Sequence, residues 1–154
     1  MTAGPLVATL RLEVDREEIL PIGPGPDGYR GVAFIVGGQL EGERLNAEVL
    51  GGEDWFVRRN DGSIAIDVRL TLSSDDDAFL TLAYTGALTG TPDALAAFSA
   101  GKPMRRGEYR IAISARFGCG DERYAWLDGK ALVGEGEETA EGPVYRFHAA
   151  EGAR

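Results

Sequence analysis

The 154-residue sequence predicts an all-β protein, closed into an antiparallel barrel, with one short helix. Three observations carry this. Apolar residues recur with a period of two along almost the whole chain, the spacing that sends alternate side chains to opposite faces of a strand. Turn-forming clusters interrupt the alternation at hairpin distances. Glycine is abundant, at 22 residues, and glycines inside strands mark the bulges and bends by which a sheet curls onto itself, which favours a barrel over a sandwich.

The elements follow in order. Leu6, Ala8, Leu10, Leu12 and Val14 share one face of a first strand, with Thr9, Arg11, Glu13 and Asp15 on the other. The run Gly23-Pro24-Gly25-Pro26-Asp27-Gly28 forces a turn, because glycine opens positive φ and proline fixes φ and removes a donor. Val32 to Val36 is apolar on both faces, as a central strand would be, and Gly37-Gly38 ends it. Alternation returns over Leu45, Ala47 and Val49, and Asn60-Asp61-Gly62 predicts a hairpin turn. Ile64 to Leu72 and Phe79 to Leu88 then flank a tip at Ser73 to Asp77. Thr91-Pro92-Asp93 has the form of a helix start, with the helix running to Ser99. Tyr109 to Arg116, Tyr124 to Leu127, Lys130 to Gly134 and Val144 to Ala149 complete about nine short strands, with Glu135 to Glu141 as an exposed acidic loop.

The length suits a single domain spanning 1–154. A net charge of −9, with no basic cluster, opposes nucleic-acid binding. No apolar run approaches the roughly 20 residues of a bilayer span, and Arg11, Glu13 and Asp15 break any secretory signal, so no membrane partner and a cytoplasmic location are expected. Cys119 is the only cysteine, which leaves no internal disulfide, and the only histidine, His148, supports neither a histidine zinc cluster nor a Ser-His-Asp triad. The three aspartates at 75–77 lack the spacing of a calcium loop, and the prolines around Gly23 and Gly25 rule out a dinucleotide fingerprint. No metal and no cofactor are expected.

Gly37-Gly38-Gln39-Leu40-Glu41-Gly42, then Gly51-Gly52-Glu53-Asp54-Trp55, Asn60-Asp61-Gly62 and Ile66-Asp67-Val68-Arg69 form a pattern. With Tyr124-Ala125-Trp126-Leu127-Asp128 and Val133-Gly134-Glu135-Gly136, it resembles the DUF3237 (UPF0311) family from about Gly28 to the C-terminus. The resemblance implies a lipocalin-like barrel and a family of largely unassigned function. Asp128 stands where that family usually has asparagine, and Asp77 where it tends to have glycine.

A small closed barrel can hold one ligand among its inward side chains, so a small molecule is the expected partner. The double glycine before Asp54 and Trp55 is expected to bend the chain and aim both side chains into a cavity. Asp67 and Arg69, two apart, share a face. Counting outward from Asn60-Asp61-Gly62 places Asp54 beside Arg69. Two functions fit. The first is a binding barrel for a small aromatic or polyketide-like metabolite, with Trp55, Tyr84 and Trp126 as walls, Arg69 as anchor and Asp128 as a hydrogen-bond partner. The second is a cofactor-free isomerase, cyclase or lyase, with Asp54 or Asp67 as general base and Arg69 or Tyr124 stabilising an oxyanion. An apolar outer stripe or an open sheet edge would pair two copies into a homodimer.

Overall fold

The computed structural model describes residues 2–151. Eight antiparallel strands run in sequence order around a closed barrel: β1 (Thr2–Gly25), β2 (Gly28–Glu41), β3 (Asn46–Arg58), β4 (Ile64–Ser74), β5 (Phe79–Gly90), β6 (Tyr109–Gly118), β7 (Leu132–Glu138) and β8 (Pro143–Glu151). The last strand pairs with the first, so no edge is left open. Helix α1 (Pro92–Ser99) is the only α-helix among the described residues.

The strands are longer and fewer than the alternation suggests. β1 and β2 continue past Asp15 and Gly37, through positions where alternation fails, because bulges re-phase the side chains. Irregularities in the β1–β2 pairing fall at Glu13/Val14, Asp15/Leu20 and Pro21/Gly23, and the two strands turn only at Pro26-Asp27. The acidic stretch expected as a loop is half strand, since β7 runs to Glu138 and pairs with β8. Tyr124 to Leu127, expected as a strand, is a 3₁₀ turn (Glu122–Tyr124) and the loop after it. Asp121 caps that turn by accepting the Arg123 N–H at 2.9 Å, a local bond that competes with strand pairing. Among the described residues no helix is long and apolar enough to cross a membrane.

The barrel is filled at one end only. At its lower end, where β2 meets β3 and β4 meets β5, Leu40, Leu45, Leu72, Leu80, Phe117 and Leu127 are buried, each contributing roughly 1.5–3 kcal/mol of apolar burial. The segment after β6 folds across this end. Its Tyr124 hydroxyl donates to Asp76 Oδ1 at 2.7 Å, Ser74 donates to the same oxygen, and Arg123 bridges Asp76 and Asp121. The two hydroxyls hold the Asp76 carboxyl below its ordinary range.

The upper end is capped rather than packed. Thr91 accepts the Ala94 N–H at 3.1 Å and Pro92 occupies the first turn, which starts α1 as its sequence predicts. Ala94 and Leu95 bury one side of the helix against the rim, close to the turn at Gly62. Leu127→Ala, which empties a fully buried position of the lower plug, is expected to cost about 2–5 kcal/mol in urea unfolding. Tyr124→Phe should raise the Asp76 pKa, followed by carboxyl NMR, without changing the cavity at the other end.

Candidate functional site

The upper half of the barrel encloses a cavity of ≈ 300 Å³. Its walls are apolar, formed by Leu12, Ala33, Ile35, Phe56, Ile66 and Val68. The Asp54 carboxyl projects from β3 among them. Two phenols, Tyr84 and Tyr145, lie against the packed lower half, their ring centroids 5.1 Å apart, with Phe147 stacked beside Tyr145. Arg16, Arg58, Glu138 and the end of α1 (Phe98, Ser99) form the rim.

Local backbone geometry aims Asp54. On β3 the inward residues are first odd, Ala47 and Val49, and then even, Gly52, Asp54, Phe56 and Arg58. The switch is the register shift between Val49 and Gly51 in the β3–β4 pairing. Gly51 has φ 154°, and a Cβ on Gly52 would lie 2.1 Å from the Arg69 carbonyl oxygen, so the second glycine lets β3 approach β4 at the kink.

The carboxyl of Asp54 accepts the backbone N–H of Asp67 at 3.1 Å. Burial among apolar walls disfavours its charged form and pushes its pKa up to about 7. The Asp67 N–H works the other way, while the charges of Asp67 and Glu138 add to the rise. Glu138 is also raised by burial, and Arg16, 3.4 Å away, pulls it back. Burial pushes the pKa of both phenols up and keeps them protonated, and the nearby charge of Asp54 adds to the rise. The cavity therefore combines a carboxyl balanced between its two forms at neutral pH with two protonated phenols.

Of the residues singled out in the sequence, the structure brings together Asp54 and Tyr84. Trp55 is 63% exposed, because neighbours on a strand face opposite ways, and its indole donates to Glu53 at 3.1 Å on the outer wall. The pairing of Asp54 with Arg69 is corrected as well: Asp54 pairs with Val68, and Glu53 with Arg69. The hairpin is closed by the Arg59–Ser63 bond at 2.8 Å, which centres the register one residue away from the count, and such a slip reverses every side chain. Asp67 and Arg69 accordingly face solvent outside the barrel.

Tyr124 and Trp126 belong to the lower plug, remote from the cavity. Tyr124 bonds to Asp76, and Trp126 lies under the Arg44 guanidinium at 3.9 Å. Asp128 accepts the Cys119 N–H at 3.0 Å, a loop bond that asparagine would make equally. Sequence reading missed Phe56 and Arg58, which follow Asp54 at the same-face spacing, and Tyr145, which alternates with the buried Phe147. Glu138 was hidden in the supposed loop. An open depression of ≈ 550 Å³ outside the barrel, between Pro26-Asp27 and Arg59 to Asp61, is a gap between two turns. Among the described residues no three His, Cys, Asp or Glu side chains gather as metal ligands.

Comparison with known proteins places these features in a family. Residues 5–150 match the family model described as "Protein of unknown function (DUF3237)". A UPF0311 protein of Rhodopseudomonas palustris is 26% identical over 122 residues, 79% of this chain and 80% of that one. A crystal structure of a conserved protein of unknown function from the same species superposes with a TM-score of 0.88 at 24% identity, covering 97% of this chain and 98% of the other. A β-barrel-like protein from Acinetobacter baumannii aligns with a TM-score of 0.81 at 25% identity, covering 96% and 94%. An enzyme from Penicillium herquei shares the fold at 14% identity, with a TM-score of 0.67 and 97% coverage of both chains.

The raised pKa of Asp54 carries a stability consequence with a definite sign. Its carboxyl titrates near 4 in the unfolded chain and at about 7 in the fold, so between those values the folded state holds the extra proton. Stability contributed by the protonated group is complete below about pH 4 and falls as pH rises to about 7. Asp54→Asn is therefore expected to be more stable than the wild type at pH above about 7, by at most about 4 kcal/mol, and to lose the advantage below about pH 4. Urea unfolding of both proteins across this range measures the difference.

Proposed function

This chain belongs to the DUF3237 family, and from that premise and the chemistry of its cavity we propose that it binds a small, largely apolar organic molecule and moves a proton on it. Asp54 is the proton carrier. The observation that carries the reading is the placement of this carboxyl on an apolar wall of the cavity, with carboxylates but no cation among the described residues that act on it. A carboxyl that titrates at about 7 is matched to acid–base work at neutral pH, since both forms are populated and little driving force is lost in either direction.

The expected substrate is an enolisable carbonyl compound. The Asp54 carboxylate takes a proton from the carbon next to the carbonyl, and the C–H electron pair moves to form the enolate, with its negative charge on oxygen. The Tyr145 hydroxyl, kept protonated by burial, donates to that oxygen. Return of the proton from Asp54 to a different atom completes an isomerisation. Attack of the enolate carbon on an internal carbonyl completes a cyclisation, and expulsion of a leaving group completes an elimination, the Asp54 proton going to the alkoxide or to the departing group. Simple ligand binding uses the same apolar walls but does not require a buried carboxyl, which is costly to maintain.

Solvent deuterium uptake by 2-tetralone, a bicyclic ketone of cavity size, tests the proposal by mass spectrometry. Wild-type protein is expected to accelerate uptake at the carbons flanking the carbonyl at least about 100-fold over Asp54→Asn. Equal rates for the two proteins would reject proton transfer by Asp54.

A further inference from the structure

We infer that Arg58 is a specificity residue that reads an anionic group at the mouth of the cavity, so that the molecule taken up is an organic acid with an apolar body. The inference rests on the cavity proposed above as the ligand site and adds the chemical class of its occupant. Arg58 follows Asp54 by four residues on the same inward face of β3, which puts their backbones about 13 Å apart along the strand. The β3 wall of the cavity thus carries the proton-transferring carboxyl, and four residues farther along, at the rim, a guanidinium.

The charge of Arg58 is available. Its cross-strand neighbours are Tyr29 and Ile64, neither of them charged, and among the described residues it forms no ion pair. Its guanidinium lies 5.1 Å from the centroid of the Tyr29 ring, an aromatic face that orients the fork without using its hydrogen-bond donors. Arg16, the other arginine at the rim, is engaged by Glu138 at 3.4 Å and by the Thr139 carbonyl at 3.2 Å. In a chain of net charge −9, an unpaired guanidinium at the entrance of an apolar cavity marks where a carboxylate or sulfonate is held while the apolar part enters. Arg58 is not among the charges that act on Asp54, which suits a ligand spanning the two rather than an ion pair between them.

Two fluorescent dyes with one skeleton separate the charge from the apolar contact: 8-anilinonaphthalene-1-sulfonate and its uncharged relative N-phenyl-1-naphthylamine. In titrations of the full chain at neutral pH, the wild type is expected to prefer the sulfonate. Arg58→Gln should weaken the sulfonate about tenfold, the worth of one charge-assisted bond, and leave the neutral dye unchanged. Arg58→Lys should recover part of the preference, and Val68→Trp should weaken both dyes by filling the cavity. A wild type without preference, an Arg58→Gln variant that keeps it, or sulfonate binding unaffected by Val68→Trp would each overturn the inference. Failure of deuterium uptake with an intact dye preference would thus reject proton transfer alone, whereas loss of the preference with uptake intact would reject the role of Arg58.

Discussion

The kink at Gly51-Gly52 is the constraint on which the site depends. Strand geometry allows one inward set per strand, and β3 changes sets where its pairing with β4 slips between Val49 and Gly51. Without the slip, Glu53, Trp55 and Val57 would continue the inward row of Ala47 and Val49, and Asp54, Phe56 and Arg58 would face water. The slip needs a backbone approach at Gly52 that no Cβ permits, so the double glycine selects which residues line the cavity and which become surface.

The remainder of the barrel divides its two tasks by height. Leucines and the Tyr124 segment make the lower half solid, and that dense packing lets the upper half stay hollow around an unpaired carboxyl. The glycines near the C-terminal end serve the same division. A Cβ at Gly136 would meet the Tyr145 ring at 2.7 Å, and one at Gly134 would meet Ile113 and Phe147, so the Val-Gly-x-Gly motif makes room for the aromatic floor of the cavity. A family motif that the sequence divides between a strand end and a loop is here a pair of missing side chains facing a pair of rings.

The raised pKa of Asp54 and the hollow above the floor are two sides of one arrangement. Apolar walls exclude the water that would stabilise the carboxylate, and the cost is borne by a fold whose lower core supplies burial in excess. The cap formed by α1 narrows the entrance without filling it, since Ala94 and Leu95 pack down while Phe98 and Ser99 border the opening.

The residues by themselves determined the fold class and most strand positions, because period-two alternation and turn chemistry act locally: Ile64 to Leu72, Phe79 to Leu88 and Tyr109 to Arg116 lie in strands, and Thr91-Pro92 starts the helix. They also carried the family pattern and drew attention to Asp54 and Tyr84. Only the tertiary structure decided which face of each strand is the inside. A bulge or a hairpin centred one residue away leaves the local pattern almost unchanged yet inverts the faces, which moved Trp55, Asp67 and Arg69 to the outer wall and brought Arg58 in. Tyr124 and Trp126 were misplaced for a related reason: alternation of large and small residues cannot distinguish a strand from a capped turn when the deciding bonds, to Asp76 and Asp121, come from elsewhere in the chain or compete locally. Glu138 and Tyr145 line one cavity with Asp54 only because the barrel closes, a juxtaposition of distant strands that no local spacing encodes.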